Sequence, residues 1–207
     1  MNQFFQKDKL EVGIDEVGRG CLFGPVYSAA VIWVDEDPNQ DIIIKDSKKC
    51  TEKYRNNLYN YIKENSISYS IQSLSNDYID KLNILESTYQ CMHLCLDDIS
   101  SKINYDHILI DGDKFKPYYN KYNGDFMKHY TIINGDNKYK SIACASILAK
   151  VERDNYILKL CEEYPELKKY DIHNNKGYGT KKHIDAIKEY GITQWHRKTF
   201  GICKEFN

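Results

Sequence analysis

Asp15 and Glu16 stand side by side where an alternating apolar stretch, Leu10, Val12 and Ile14, runs out into the turn Gly18-Arg19-Gly20. Two further acids close apolar runs downstream: Asp111 after residues 107–110, and Asp136 after residues 127–133. Aspartate ends strands for ordinary reasons, since it caps turns and Asp-Gly is a common turn dipeptide. The case changes if these three strands lie parallel and adjacent, because functional groups then gather at the carboxyl edge of the sheet. Carboxylates brought together repel and raise one another's pKa unless a cation neutralises them. The suitable cation is hard and oxygen-seeking, Mg²⁺ or Mn²⁺. Two such ions about 3.5–4 Å apart can activate water and stabilise a leaving oxygen in phosphodiester hydrolysis. Asp15, Glu16, Asp111 and Asp136 are therefore the candidate catalytic and metal-ligating residues.

The elements that must position them follow from hydrophobic periodicity. Alternation predicts a first strand ending at Asp15-Glu16, a second over residues 26–34 and a third over about 67–73. Thr51 is a plausible N-cap for a helix running to about Glu64. Leu85, Tyr89, Met92, Leu96 and Ile99 recur at three- and four-residue steps and mark an amphipathic helix. A fourth strand ends at Asp111 and a fifth, over 127–133, at Asn134-Gly135-Asp136. A long helix from about Ser141 to Tyr164 is stopped by Pro165. Its first turns, Ile142-Ala143-Cys144-Ala145-Ser146, use small side chains suited to close packing on a sheet. A glycine-rich loop over 174–180 leads into a last helix ending near Tyr190. Strands first, then strands alternating with helices, predict an α/β domain with a mixed sheet.

Composition narrows the setting. The 207 residues show no internal repeat or linker and are 42% hydrophobic, as expected of one globular domain. A net charge of −1 offers no global positive field for nucleic acid. That weakens a pure binding module more than a nuclease, whose own carboxylates cancel local basic patches in the total. Residues 26–34, the longest apolar stretch, are too short to cross a bilayer, and residues 1–8 lack the pattern of a secretory signal. Seven cysteines without a Cys-x-x-Cys pair suit neither a disulfide framework nor a zinc ribbon. The expectation is a cytoplasmic protein with no membrane association.

At this point whole motifs become recognisable. Gly13-Ile14-Asp15-Glu16-Val17-Gly18-Arg19-Gly20, followed by Gly24-Pro25-Val26, resembles the opening of type 2 ribonuclease H, the ribonuclease HII family. In order after it come Asp46-Ser47-Lys48-Lys49, Asp111-Gly112, and Asp136 with the helix motif from Ser141 to Asp154. Lys176-Gly177-Tyr178-Gly179-Thr180 and His196-Arg197-Lys198-Thr199-Phe200 complete the set, so the resemblance spans about residues 11–200. It implies a ribonuclease H-like fold with a mixed five-stranded sheet flanked by helices, and a C-terminal helical part over about 165–207. It also implies the carboxylate quartet Asp15, Glu16, Asp111 and Asp136 holding two Mg²⁺ or Mn²⁺ ions. The implied substrates are RNA–DNA hybrids and duplex DNA with a single embedded ribonucleotide. The cut would fall on the 5′ side of the ribonucleotide, leaving a 3′-hydroxyl and a 5′-phosphate, and the enzyme would act as a monomer.

Further residues take roles from the same resemblance. Gly18, Arg19 and Gly20 with Tyr178 would read the ribose 2′-hydroxyl, which is both donor and acceptor. Glycines let backbone approach a sugar closely. Lys48 and Arg19 would hold phosphate, and Asp46 would orient the lysine or the Gly-Arg-Gly loop. Lys176, Lys181 and Lys182 are candidates for tracking the DNA backbone, and Ser141 and Ser146 for approaching phosphate. His173, His183 and His196 match no zinc spacing, and His196 looks like the family's structural C-terminal histidine. Asp113 adds an acid beside Asp111, and Cys144 replaces a more usual alanine. Type 3 enzymes usually carry lysine in place of Arg19, lack the tyrosine and have an added N-terminal domain; type 2 fits better, with only about ten residues before the first strand. The rival readings are a DNA nuclease or integrase on the same fold and a non-catalytic hybrid-binding module. Cleavage of a one-ribonucleotide duplex against an all-DNA duplex separates the first, and binding without cleavage in any divalent metal marks the second.

Overall fold

The computed structural model describes residues 1–206. β1 (Glu11–Val17) is buried over most of its length because it runs through the middle of a sheet covered on both faces. It pairs antiparallel with β2 (Val26–Ile32) and parallel with β4 (His107–Asp111). β3 (Ser68–Leu74) adds antiparallel to β2. Between β4 and the last strand of this sheet lies a separate hairpin, β5 (Tyr119–Asn120) with β6 (Asp125–Phe126). β7 (His129–Ile132) then joins parallel to β4, so the five-stranded order is β3-β2-β1-β4-β7. The strands that carry or lead to the acids are thus parallel neighbours, as the convergence of Asp15, Asp111 and Asp136 requires.

The helices are α1 (Glu52–Asn65), α2 (Asn76–Leu82), α3 (Ile84–Ser100), α4 (Lys140–Glu163), α5 (Ile172–Asn175) and α6 (Lys181–Tyr190). Side chains alternate across the sheet. Ala29 and Val31 face α1 and α4, where Leu58, Ile62, Ala143 and Ile147 close one core. Val12, Ile14 and Ile108 face α3, meeting Met92, Leu96 and Ile99 in the other. The second half of α4 carries Ile157 and Leu160 into a third cluster with Phe23, Leu167, Tyr170 and Ile187, which seats the C-terminal helices.

The tightest contact is between β1 and α4. A Cβ on Gly13 would lie 2.3 Å from the Ser141 carbonyl carbon and 2.4 Å from the Ile142 nitrogen, so only glycine allows this approach. The small residues at the start of α4 serve the same closeness. Ser141 is buried there, so the expectation that it approaches phosphate is wrong.

Three departures from the periodicity reading have local causes. β7 is shorter than residues 127–133, because the Met127 amide bonds the Tyr118 carbonyl at 2.9 Å and its side chain is buried in the α3-side core. Asn134 then turns left-handed, with φ 55°, into a 3₁₀ turn over Gly135–Asn137. α2 is a single short segment, too brief to show a helical period of its own. It ends at Asn83 (φ 68°), whose side chain caps α3 by accepting from the Leu85 and Glu86 amides. The β5–β6 hairpin turns through Asn123-Gly124, with Gly124 at φ 80°.

Candidate active site

β1 runs two residues past Asp15, to Val17; Asp15 is buried near this end, its carboxylate Oδ1 accepting from the Glu16 amide at 2.7 Å. β4 ends with Asp111, whose Oδ1 accepts from the Gly135 amide at 2.6 Å. That bond ties one acid to the 3₁₀ turn that carries another, because Asp136 follows Gly135 directly. Asp136 is buried; its Oδ1 accepts from Asn137 Nδ2 at 3.1 Å, while its Oδ2 has no hydrogen-bond partner. Lys48 Nζ stands 3.6 Å from that oxygen.

Burial raises Asp15 well above the usual carboxylate range, and the Glu16 and Asp111 charges push the same way. Glu16 is raised by burial against the opposing pull of Arg19, whose Nη1 lies 3.2 Å from Glu16 Oε1. Asp111 is raised by burial and by Asp136. Burial works against the Lys48 charge, but Asp136, Asp15, Asp46 and Asp111 outweigh it and raise its pKa. An acid cluster at odds with itself, with one buried oxygen that takes no hydrogen bond and faces only the Lys48 ammonium, fits a hard divalent cation. The acids converge without forming a ready cage: among the described residues no group of three or more His, Cys, Asp or Glu side chains is placed to hold a metal ion.

Asp15, Glu16 and Asp111 line a cavity of about 380 Å³ together with Lys48, Ser146, Lys150 and Tyr178. Ser146 reaches it because α4 lies so close to β1, and its hydroxyl is 3.1 Å from that of Ser47. Asp46 caps the Ser47–Lys49 turn by accepting from the Lys48 amide at 2.9 Å, and its Oδ2 lies 3.7 Å from Lys49 Nζ. Asp113 is exposed and does not line the cavity. Lys181 and Lys182 are exposed at the start of α6, whereas the Lys176 ammonium bonds the His173 carbonyl.

Two arginines to which the sequence pattern assigns no role hold the loops. Arg197 is fully buried and donates from Nη2 to Gly18 O (2.7 Å), Nη1 to Arg19 O (2.9 Å) and Nε to Gly24 O (2.9 Å). Arg153, on α4 and equally buried, donates to the Pro25, Lys176 and Phe23 carbonyls at 2.8–3.0 Å. Its guanidinium carbon also lies 6.0 Å from the centre of the Tyr178 ring. Neither pairs with a carboxylate among the described residues. Both stand within the α4 and His196-Arg197 motifs, but carbonyl acceptors leave no sequence trace. Lys150, in the same α4 motif, lines the cavity and bonds Asp154 at 2.9 Å, a placement the motif does not reveal.

Tyr178 is half-exposed, and burial of its hydroxyl raises its pKa to about 12. Gly177 before it has φ 86°, and a Cβ there would lie 2.8 Å from Phe23 O. His183 and His196 are both fully buried, their Nε2 atoms 3.1 Å apart. Burial lowers the His183 pKa and, with His183 beside it, pushes His196 down to about 3. In the unfolded chain both titrate near the usual 6.5, so below that pH the unfolded state binds more protons. Their contribution is therefore complete above about pH 6.5 and is lost as pH falls toward 3. The raised carboxylates act with the opposite sign. We expect a His183→Asn/His196→Gln variant to lose less Tm than wild type between pH 7 and 5. An equal loss in thermal melts would contradict the neutral pair.

A mixed sheet with helices on both faces, and acids gathered at the carboxyl ends of its parallel strands, defines a nuclease-type α/β protein with a ribonuclease H-like fold. The crystal structure of ribonuclease H2 from Pyrococcus horikoshii OT3 superposes with a TM-score of 0.74 at 24% identity, covering 95% of this chain and 96% of that one. A Bst ribonuclease HIII in complex with Mn²⁺ gives 0.67 at 19% identity, covering 95% and 68%. A model of the ribonuclease HII family matches residues 12–203. Ribonuclease HII of Bacteroides thetaiotaomicron is 45% identical over 199 residues, 96% of this chain and 93% of its own length. The chain belongs to the ribonuclease HII family. It is an endonuclease of RNA–DNA hybrids, with the divalent-metal dependence that family membership implies. No helix among the described residues is long and apolar enough to cross a membrane.

Proposed function

We propose that this enzyme cuts 5′ of single ribonucleotides in duplex DNA, as well as the RNA strand of hybrids, with Asp15, Glu16, Asp111 and Asp136 holding two Mg²⁺ or Mn²⁺ ions. The observation that carries the reading is that three of these carboxylates and Tyr178 line the same cavity. A cut beside a ribose needs acid cluster and sugar reader within one nucleotide of each other. Bound divalent ions supply charge neutralisation and Lewis acidity at the phosphate.

The chain's own residues do the rest. Arg197 holds the Gly18 and Arg19 carbonyls inward, while no protein acceptor takes the Arg19 or Gly20 amide proton among the described residues. Those amides face the 2′-oxygen as donors, and the Tyr178 hydroxyl bonds it from the other loop. Lys48, largely exposed on the turn that Asp46 caps, holds phosphate next to the acids. Lys181 and Lys182 follow the DNA backbone as solvated charges. The reading takes the chain as one domain acting as a monomer, since every proposed group comes from one copy. Its seven unpaired cysteines suit a reducing compartment, and the proposal places it in the cytoplasm with its DNA substrate.

Incubation with Mg²⁺ or Mn²⁺ should cut a one-ribonucleotide duplex on the 5′ side and leave all-DNA duplex intact. Tyr178→Ala should lower the preference for the single ribonucleotide about ten- to a hundredfold, the size of one lost buried hydrogen bond and its packing. Cleavage of all-DNA duplex, or an unchanged preference in the variant, would refute the reading.

A further inference from the structure

The Tyr178 loop is held from behind by a chain of hydrogen bonds whose direction is fixed by its ends. The Thr193 amide, which can only donate, lies 2.9 Å from His196 Nδ1, so that nitrogen accepts and the His196 proton sits on Nε2. His196 Nε2 faces His183 Nε2 at 3.1 Å, where one proton serves two nitrogens; His183 Nε2 accepts. The His183 proton is then on Nδ1, 2.9 Å from the Tyr178 carbonyl, which can only accept. Each ring thus takes the single tautomer that its neighbours allow, and a second proton on either would set N–H against N–H.

The surrounding backbone shows what this chain braces. Residues 21–24, directly after the Gly-Arg-Gly turn, run as a ribbon between two loops. On one side Leu22 N donates to Gly177 O at 2.9 Å, and on the other Arg197 N donates to Leu22 O at 2.8 Å. Cys21 bridges to Tyr178 and Phe23 to His196. The two rings span the same gap behind the ribbon, with Phe23 edge-on to His196 at 5.1 Å.

We propose that His183 and His196 are positioning residues for Tyr178, a proton-ordered imidazole strut that sets the tyrosine loop against the Gly-Arg-Gly turn and so sets ribonucleotide selectivity. The strut rests on the reading of Tyr178 as the sugar sensor. It touches neither the carboxylates nor the cavity, so its loss acts on selectivity and not on cleavage itself.

Two measurements on the full chain test it. In ¹H–¹⁵N long-range correlation spectra at neutral pH, His183 should appear as the Nδ1–H tautomer and His196 as the Nε2–H tautomer; any other pairing overturns the strut. In cleavage assays the readout is the rate on a one-ribonucleotide duplex relative to a uniform hybrid. His183→Leu fills the space without a donor and should lower that ratio about tenfold with kcat on the hybrid retained, as expected for a small misplacement of a contacting group. His183→Asn places an amide N–H near the Nδ1 position and should restore the ratio. Equal losses in both variants, or hybrid kcat falling in step with the ratio, would mean general damage and overturn the positioning role. Tyr178→Ala run in parallel separates the two ideas. If it keeps the ratio, the sensor reading fails; if it loses the ratio while His183→Leu keeps it, the strut fails.

Discussion

Asp15→Asn is expected to slow cleavage of both hybrid and one-ribonucleotide duplex by about a thousandfold or more, the scale of removing a principal charge stabiliser from a transition state. Duplex binding should survive, because Lys48, the Gly-Arg-Gly turn and Tyr178 are untouched. The same substitution should leave the metal-free protein at least as stable as wild type. Asp15 has its pKa raised by burial and by Glu16 and Asp111, so its ionised form is a cost to the fold at neutral pH. A carboxyl whose folded pKa lies above its unfolded value contributes stability below the unfolded pKa and loses it as pH rises from there through the folded pKa. Asparagine has nearly the same shape and no charge, and removes that cost. Mg²⁺ or Mn²⁺ should raise the Tm of wild type by mass action and raise that of the variant less. Thermal melts with and without metal, beside single-turnover cleavage, make the test. Wild-type rates in Asp15→Asn would end the proposed role of this carboxylate, and so would an undiminished metal-induced shift in Tm.

This opposition between stability and activity is partly legible in the amino-acid order. Leu10, Val12 and Ile14 place Asp15 near a strand end, which falls two residues later at Val17, and the short apolar run before Asp111 marks the end of β4 itself. Both readings are local and rest on a period of two. Asp136 is legible only as an acid after a strand; it sits on a 3₁₀ turn, fixed by a bond from the Gly135 amide to Asp111 that no pattern encodes. Ser141 shows the opposite failure. A serine at a helix start reads as a phosphate ligand, but Gly13 lets α4 approach β1 so closely that the side chain is buried. His183 and His196 give only a negative inference from spacing, since their separation of thirteen positions says nothing of two rings in contact.

Arg197 is the largest such omission, and Arg197→Leu should be the most destabilising single change among the loop-holding residues. An arginine in a basic motif of a nucleic-acid enzyme invites a phosphate-binding role, yet this one is fully buried, donates only to backbone carbonyls and lies 5.0 Å over the Phe200 ring. Leucine fills part of the space but leaves the Gly18, Arg19 and Gly24 carbonyls without their donor. Each buried acceptor so stranded costs about 1–3 kcal/mol, so with partial relaxation the total should be about 3–5 kcal/mol. For a chain of this size that is a fall in Tm of about 10 °C. Arg197→Lys keeps the charge but lacks the planar fork, and one ammonium cannot reach three carbonyls lying in different directions. It should recover only a minor part of the loss. The carboxylates lie elsewhere, so the folded fraction of either variant should still cleave uniform hybrid. Its preference for a single ribonucleotide should weaken, because the Gly18–Arg19 backbone is no longer held inward. Urea unfolding gives the stability, and the cleavage ratio measured well below the Tm gives the selectivity. If Arg197→Leu melts within about 2 °C of wild type, smaller than one stranded carbonyl should cause, the three bonds do not carry the loop. If it melts low but discriminates as wild type does, the arginine holds the fold together without shaping how the ribose is read.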